Sequence, residues 1–233
     1  MNRFYENVET VPEGDGWAVL LDGKSIKTPA KQSLILPTIG LAERVAQEWQ
    51  EQDKEIVPLS MPLTRFANAT IDRTRMMRTD VIAQICAYAQ SDVLCYRVDE
   101  PADFVERQMA EWQPILDWLS ASRGISLRVT AGIVQIDQDR SALEAVKNTV
   151  SALNDFALTG LHSVTTGFGS IALGLALADG HIDCEKAVTL ATLEEIYQME
   201  IWGEDSETIR RHDELRQEVL NADQFMTLAV PGA

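Results

Sequence analysis

The chain has 233 residues, 45% of them hydrophobic and 24% charged, with a formal net charge of −16. A chain of that length hides about 70–75% of its unfolded surface on folding, enough for a sizeable core in one or two domains. The acidity excludes a nucleic-acid binder, whose phosphates would be repelled along most of the surface; it fits a basic or neutral protein partner, or serves solubility alone.

The first third reads as β structure. Residues 4–11 lean towards strand, and Glu13-Gly14-Asp15-Gly16 is a turn cluster. Residues 17–21 follow as a strand, and Asp22-Gly23 is the strongest short hairpin signal. Residues 24–28 pair back, Pro29 stops them, and residues 33–36 add a strand, giving an antiparallel meander. Thr38 is placed to cap a helix running to about residue 52, with Leu41, Val45, Ala46 and Trp49 on one face. Residues 56–62 are extended and interrupted by proline, and the composition shifts there. The expectation is an α+β fold: a small β-rich N-terminal domain, residues 1–62, then a larger, mainly α-helical C-terminal domain, residues 63–233.

Beyond residue 62 a helical pattern runs from Thr64 towards Leu94, and another covers residues 101–122, ending near Gly124. Residues 127–136 alternate as a strand or extended link. Helical patterns then cover 141–153, 158–178, 183–202 and 206–228. Residues 156–178 are the most apolar stretch, but His162, several hydroxyls and four glycines make it a buried helix rather than a membrane span. No membrane insertion is expected. Cys86, Cys95 and Cys184 are odd in number and lack Cys-x-x-Cys spacing, so reduced, buried thiols in a reducing compartment are expected.

Chemistry is hard to find. His162, His181 and His212 are far apart, and with scattered cysteines they spell no zinc site. His162 reads as a hydrogen-bonded core histidine. Gly167-Phe168-Gly169-Ser170 lacks the lysine of a phosphate loop and the Gly-x-Ser-x-Gly of a nucleophile elbow; its small residues suit helix contact. Arg65, Arg73, Arg75 and Arg78 form a local basic cluster that either holds an anion or pairs with Asp72, Asp80 and other acids. Asp92 and Arg97, flanking Tyr96, are expected to form an ion pair.

The most informative run is residues 193–205. On a helix, Leu190, Leu193, Tyr197 and Ile201 share one side, and Glu194 and Glu200 sit about 60° either side of Tyr197. The strip ends in Trp202-Gly203-Glu204-Asp205. Acids framing an apolar-aromatic strip suit gripping another protein. Gly203 also reads as a helix C′ residue and Asp205 or Ser206 as the next cap. Trp202 is either a partner anchor or a core tryptophan closing the helix end. The residues alone favour a binding role over catalysis.

Several blocks fall in a specific order: Arg3-Phe4-Tyr5; Gly16-Trp17-Ala18-Val19-Leu20-Leu21-Asp22-Gly23-Lys24; Lys27-Thr28-Pro29-Ala30-Lys31; Glu48-Trp49; Met61-Pro62-Leu63-Thr64; Ile71-Asp72; Tyr96-Arg97; Gln108; Trp112; Asp117-Trp118; Gly169-Ser170; and Trp202-Gly203-Glu204-Asp205. Over nearly the whole chain this resembles the assembly chaperones of the F-type ATP synthase that guard its catalytic-sector α subunit. Lys24 and Val93 depart mildly, standing where Arg and Leu are expected. The resemblance implies a β-rich N-terminal and a helical C-terminal domain, no catalysis and no cofactor. It implies binding to the free α subunit, whose exposed assembly surface would otherwise aggregate, and displacement by the β subunit. Eukaryotic members are mitochondrial; the chain starts at the first motif without a presequence and so resembles a bacterial, cytoplasmic member, here expected to be a monomer. The expected partner-binding residues are Glu194, Tyr197, Glu200, Trp202, Glu204 and Asp205. The rival is a small-ligand enzyme or anion-binding protein using an inter-domain cleft near Arg65 and Arg78.

Overall fold

The computed structural model describes residues 1–132 and 136–230. Strands β1 (Val8–Glu13), β2 (Gly16–Leu21), β3 (Lys24–Ser25) and β4 (Ile35–Leu36) come first, then helices α1 (Ile39–Gln50), α2 (Pro62–Ala69) and α3 (Arg78–Ala87). β5 (Tyr96–Arg97), α4 (Ala102–Arg123) and β6 (Thr130–Ala131) follow. The rest is α5 (Arg140–Ser151), α6 (Asp155–Phe168), α7 (Ile171–Ala178), α8 (Cys184–Ala191), α9 (Leu193–Trp202) and α10 (Ser206–Leu228). The chain is α+β, with antiparallel strands leading and helices after them. Among the described residues its contacts divide it into two compact units: residues 1–78, 154–160 and 224–230 in the first, and residues between 79 and 153 and 161–223 in the second.

In the first unit β2 is the central strand. β1 runs antiparallel to it with Thr10 opposite Val19, while β3 pairs with it through Leu20 and Ser25. Asp22 and Gly23 both take positive φ, 47° and 75°, the backbone a two-residue hairpin turn demands. The meander is not simple: β4 returns to β2, Trp17 opposite Leu36, and the segment leading into it is tied back by a Lys27–Ser33 bridge and by the Leu34 amide donating to the Ile26 carbonyl. That close return explains Gly16, where a Cβ would stand 2.5 Å from the Leu36 carbonyl oxygen.

Thr38 caps α1 as expected, its hydroxyl accepting from the Leu41 amide at 3.1 Å. Leu41, Ala42 and Val45 are buried, and so is Glu48. The Glu48 carboxylate accepts from the Leu63 and Thr64 amides, at 2.7 and 2.8 Å, and from the Thr64 hydroxyl at 2.7 Å. A side chain of α1 thereby serves the free N–H groups that open α2. Burial pushes the Glu48 carboxyl up and those three bonds oppose it. Below, Phe66 stacks on Phe225 with centroids 5.2 Å apart. The helix expected to run unbroken from Thr64 is interrupted by a π-helical turn at Thr70–Thr74. There the Thr70 hydroxyl donates to the Phe66 carbonyl and meets the Thr159 hydroxyl, an alternative to regular helix bonding.

In the second unit α4 ends at Gly124, φ 65°, as its glycine promised, and the Trp112 indole donates to the Leu190 carbonyl at 3.0 Å. β5 and β6 pair in parallel, Tyr96 opposite Thr130; β6 is the realised portion of the strand expected over 127–136, of which residues 133–135 lie outside the described residues.

The single buried helix expected over 158–178 is two helices. Gly169, φ 65°, stops α6, and the Ser170 hydroxyl caps α7 by accepting from the Leu173 amide. Ser170 in turn donates to the fully buried Asp92 at 2.7 Å, and Asp92 also accepts from the Ala172 and Leu94 amides. The expected Asp92–Arg97 ion pair is therefore absent: open N–H groups at the start of α7 take the carboxylate, while Arg97 donates to Gln113 and to the Leu94 carbonyl. Burial pushes the Asp92 carboxyl up to about 6 against those hydrogen bonds. Residues 183–202 likewise split, at Thr192, whose hydroxyl donates to the Val188 carbonyl. Gly167 does permit close helix approach, a Cβ there lying 2.8 Å from Leu215 Cδ1. His162 is half-buried and bonded to Gln84 at 3.1 Å. No described helix is long and apolar enough to cross a membrane.

Candidate partner-binding site

The strip singled out in the sequence starts in the core and emerges into solvent. Leu190 and Leu193 are buried, Tyr197 is half-buried, Ile201 is 53% exposed and Trp202 77% exposed. Trp202 is thus no core tryptophan closing the helix end. Two adjacent large apolar side chains stand open at the C-terminal end of α9, where a lone one would need no explanation.

That end is firmly held. The Tyr197 ring stacks on Phe104 of α4, centroids 4.2 Å apart and planes within 12°. Its hydroxyl donates to both Asp103 carboxylate oxygens at 3.0 Å. One turn further, Arg107 makes a two-pronged pair with Glu200 at 2.6 and 3.0 Å, the planar fork matching the carboxylate. Arg107 holds Glu200 below the usual carboxylate range, and Glu200 raises Arg107. Desolvation, then the bond to Asp103, push the Tyr197 phenol up. On the other side Glu195 binds Arg211 at 2.8 Å and His212, tying α9 to α10.

Gly203 ends α9 with φ 94°, its amide donating to the Met199 carbonyl. Asp205 opens α10: its carboxylate accepts from the Thr208 amide at 2.8 Å and hydroxyl at 2.7 Å, bonds that keep its carboxyl low. Glu204, between them, is exposed and without a partner among the described residues. Glu194 is exposed, with a 3.5 Å bond from Gln198 as its contact. Of the six expected site residues, Tyr197 and Glu200 lock α9 to α4, Asp205 is a cap, and Trp202, Glu204 and Glu194 remain open to a partner.

Asp103, Phe104 and Arg107 were missed in the sequence. They stand more than ninety positions away from their α9 partners, and no local pattern announces a helix pair. In the basic cluster, Arg75 and Arg78 pair with Asp155 at 3.3 and 2.6 Å. Asp72, an expected partner, instead accepts from the Thr28 hydroxyl and the Ala30 amide. Arg65 and Arg73 are exposed. Among the described residues no group of His, Cys, Asp and Glu is arranged to hold a metal. The three cysteines are unpaired; Cys95 and Cys184 are buried and Cys86 is half-buried.

An exposed tryptophan and isoleucine stand beside an unpaired carboxylate, on a helix end clasped by its neighbour. The protein family described as ATP12 chaperone protein matches residues 2–120. Over 225 residues the chain is 25% identical to the protein atp12, mitochondrial, of Schizosaccharomyces pombe, covering 91% of this chain and 77% of that one. The crystal structure of Atp12 from Paracoccus denitrificans superposes with a TM-score of 0.96 at 37% identity over 98% of both chains. A solved structure from Agrobacterium tumefaciens gives 0.93 at 36% identity, over 97% of this chain and 85% of that one. The chain belongs to the ATP12 chaperone family and is an ATP synthase assembly chaperone.

Proposed function

We propose that this chaperone binds the free α subunit of the F-type ATP synthase catalytic sector, covers the surface meant for the β subunit, and is displaced when the β subunit offers a better-packed interface. The observation that carries this reading is Trp202, 77% exposed on a rigidly held helix end. Tryptophan is a preferred interface anchor, because a rigid ring buries much area at little entropic cost. Glu204 and Glu194 beside it supply charge that orients the encounter. A transient interface of about 1,200–2,000 Å² suffices, and the β subunit wins by mass action once available. Binding alone does the work: the chain acts as a monomer, without catalysis, cofactor or nucleic acid, in a reducing compartment that suits its unpaired cysteines. In a bacterium that compartment is the cytoplasm.

The test is pull-down of purified α subunit by the parent chain, Trp202→Ala and Glu204→Lys. Trp202→Ala is expected to lose most of the binding and Glu204→Lys about ten-fold in affinity, with unaltered melting temperatures. Full recovery of the α subunit by both variants would falsify this placement of the site.

A further inference from the structure

α3 is apolar on two faces. Val81 and Ile85 are buried on one. Ile82, Ala83, Cys86 and Ala87 form the second, and with Leu143 and Lys147 of α5 they line a groove of about 560 Å³. On α5 the inward positions are Ala142, Val146 and Val150, so Leu143 and Lys147, one residue on and four apart, form the groove's other wall. Both alanines are exposed, which leaves the floor shallow and roomy.

Charge marks the groove as clearly as shape does. In a chain of net charge −16, its wall contains no carboxylate. Its one formal charge is Lys147, which is exposed and has no ion pair or hydrogen bond among the described residues. Glu144, one turn away, is occupied by Arg140. The wall along α3, Thr79 to Ala87, is about 12 Å long, as is that along α5, Leu143 to Ser151, two turns of helix each. Side chains stepped at helical pitch along both walls match the ridges of a third helix better than a compact small molecule.

We propose that this groove seats an amphipathic helical segment of the client α subunit, with the client's apolar stripe against α3 and a client carboxylate against Lys147. The inference rests on the proposed client and adds a second, oppositely charged contact to the Trp202 surface.

Cys86 is a built-in reporter, since it lines the groove while Cys95 and Cys184 are buried. The full chain is alkylated with N-ethylmaleimide at mildly alkaline pH, alone, with purified α subunit, and with dodecanoate, and Cys86 modification is followed by peptide mass. Saturating α subunit is expected to slow Cys86 alkylation about ten-fold. Lys147→Glu is expected to weaken α-subunit binding about ten-fold at an unchanged melting temperature. Ala83→Trp, which fills the groove from an exposed position, should weaken it as well. If the α subunit binds while Cys86 reacts at its free rate and both variants keep their affinity, the groove is not the seat, and the Trp202 site stands without it. Protection by dodecanoate but not by the α subunit assigns the groove to a small amphiphile and overturns the proposal. Failure of the parent chain to bind the α subunit at all overturns the functional reading, and this one with it.

Discussion

Tyr197 of α9 lies face to face with Phe104 of α4, ring centroids 4.2 Å apart, in a clasp completed by Asp103, Arg107 and Glu200. Phe104 is almost fully buried, whereas Asp103 and Glu200 are exposed and Arg107 is half-buried. Stability and orientation are thereby separated: the buried ring carries packing energy, the ions carry geometry. Phe104→Ala is expected to destabilise the chain by about 3–5 kcal/mol, the cost of a large buried ring and the cavity it leaves. Tyr197→Phe keeps the stack, loses the bond to Asp103, and should cost only a small fraction of that. Chemical denaturation of the two variants beside the parent measures both.

The strands, the Asp22-Gly23 hairpin, the Thr38 cap and the Gly124 stop were legible because each depends on one or two residues whose backbone or capping preference is strong. The helix breaks at Thr70, Gly169 and Thr192 were not. At two of them a partner about eighty to ninety residues away takes part, Thr159 for Thr70 and Asp92 for Ser170, while the Thr192 hydroxyl bonds to the Val188 carbonyl four residues back. The α9 strip was legible from its period over Leu193, Tyr197 and Ile201, although Leu190 belongs to α8, across the Thr192 break; the sequence left Trp202 either buried or open, and only the fold places it in solvent. The clasp was not, since Phe104 and Arg107 look like ordinary positions of an amphipathic helix until α9 is laid against them.

Asp92 anchors the join of α6 and α7 from within the core. Asp92→Ala leaves the Ser170 hydroxyl and the Ala172 and Leu94 amides without an acceptor. The expected cost is about 2–4 kcal/mol, since buried donors stripped of a charged partner keep their desolvation penalty. A urea series showing a loss below one kcal/mol, roughly the value of a single ordinary hydrogen bond, would show that these groups find other partners.

The same residue gives a pH signature. Folding raises the Asp92 carboxyl from 3.8 to about 6, so the folded state holds its proton more tightly than the unfolded chain does. Its contribution to stability is complete below the unfolded value and is lost as pH rises through about 6. A rise of that size corresponds to about 3 kcal/mol across the window. Asp92→Asn has no proton to lose, so whatever its uniform cost, the stability of the parent minus that of the variant should fall between pH 4 and 6. Parallel curves for the two proteins would remove the buried-acid account.

Gly16 tests the return of β4 onto β2. A Cβ there would meet the Leu36 carbonyl oxygen at 2.5 Å and Ile35 Cγ2 at 2.8 Å. The backbone oxygen cannot swing aside as a flexible side chain does, so the sheet itself must shift. Gly16→Ala is expected to cost about 1–3 kcal/mol, the usual range for forced overpacking. Gly167→Ala meets only the tip of Leu215 at a similar distance and should cost less. Thermal melts that rank the two in the opposite order would contradict the β2–β4 pairing.

The clasp makes a sharper claim about binding. If Arg107 acts by holding the end of α9 through Glu200, its effect on the partner passes through Trp202. Arg107→Ala should then weaken α-subunit binding about five-fold in the parent chain and not at all in a Trp202→Ala background, the non-additivity expected of residues acting as one unit. Stability should barely change in either background, because the ion pair is exposed. Equal losses in the two backgrounds would mean that Arg107 touches the partner directly, and the clasp would then belong to the contact surface instead of supporting it.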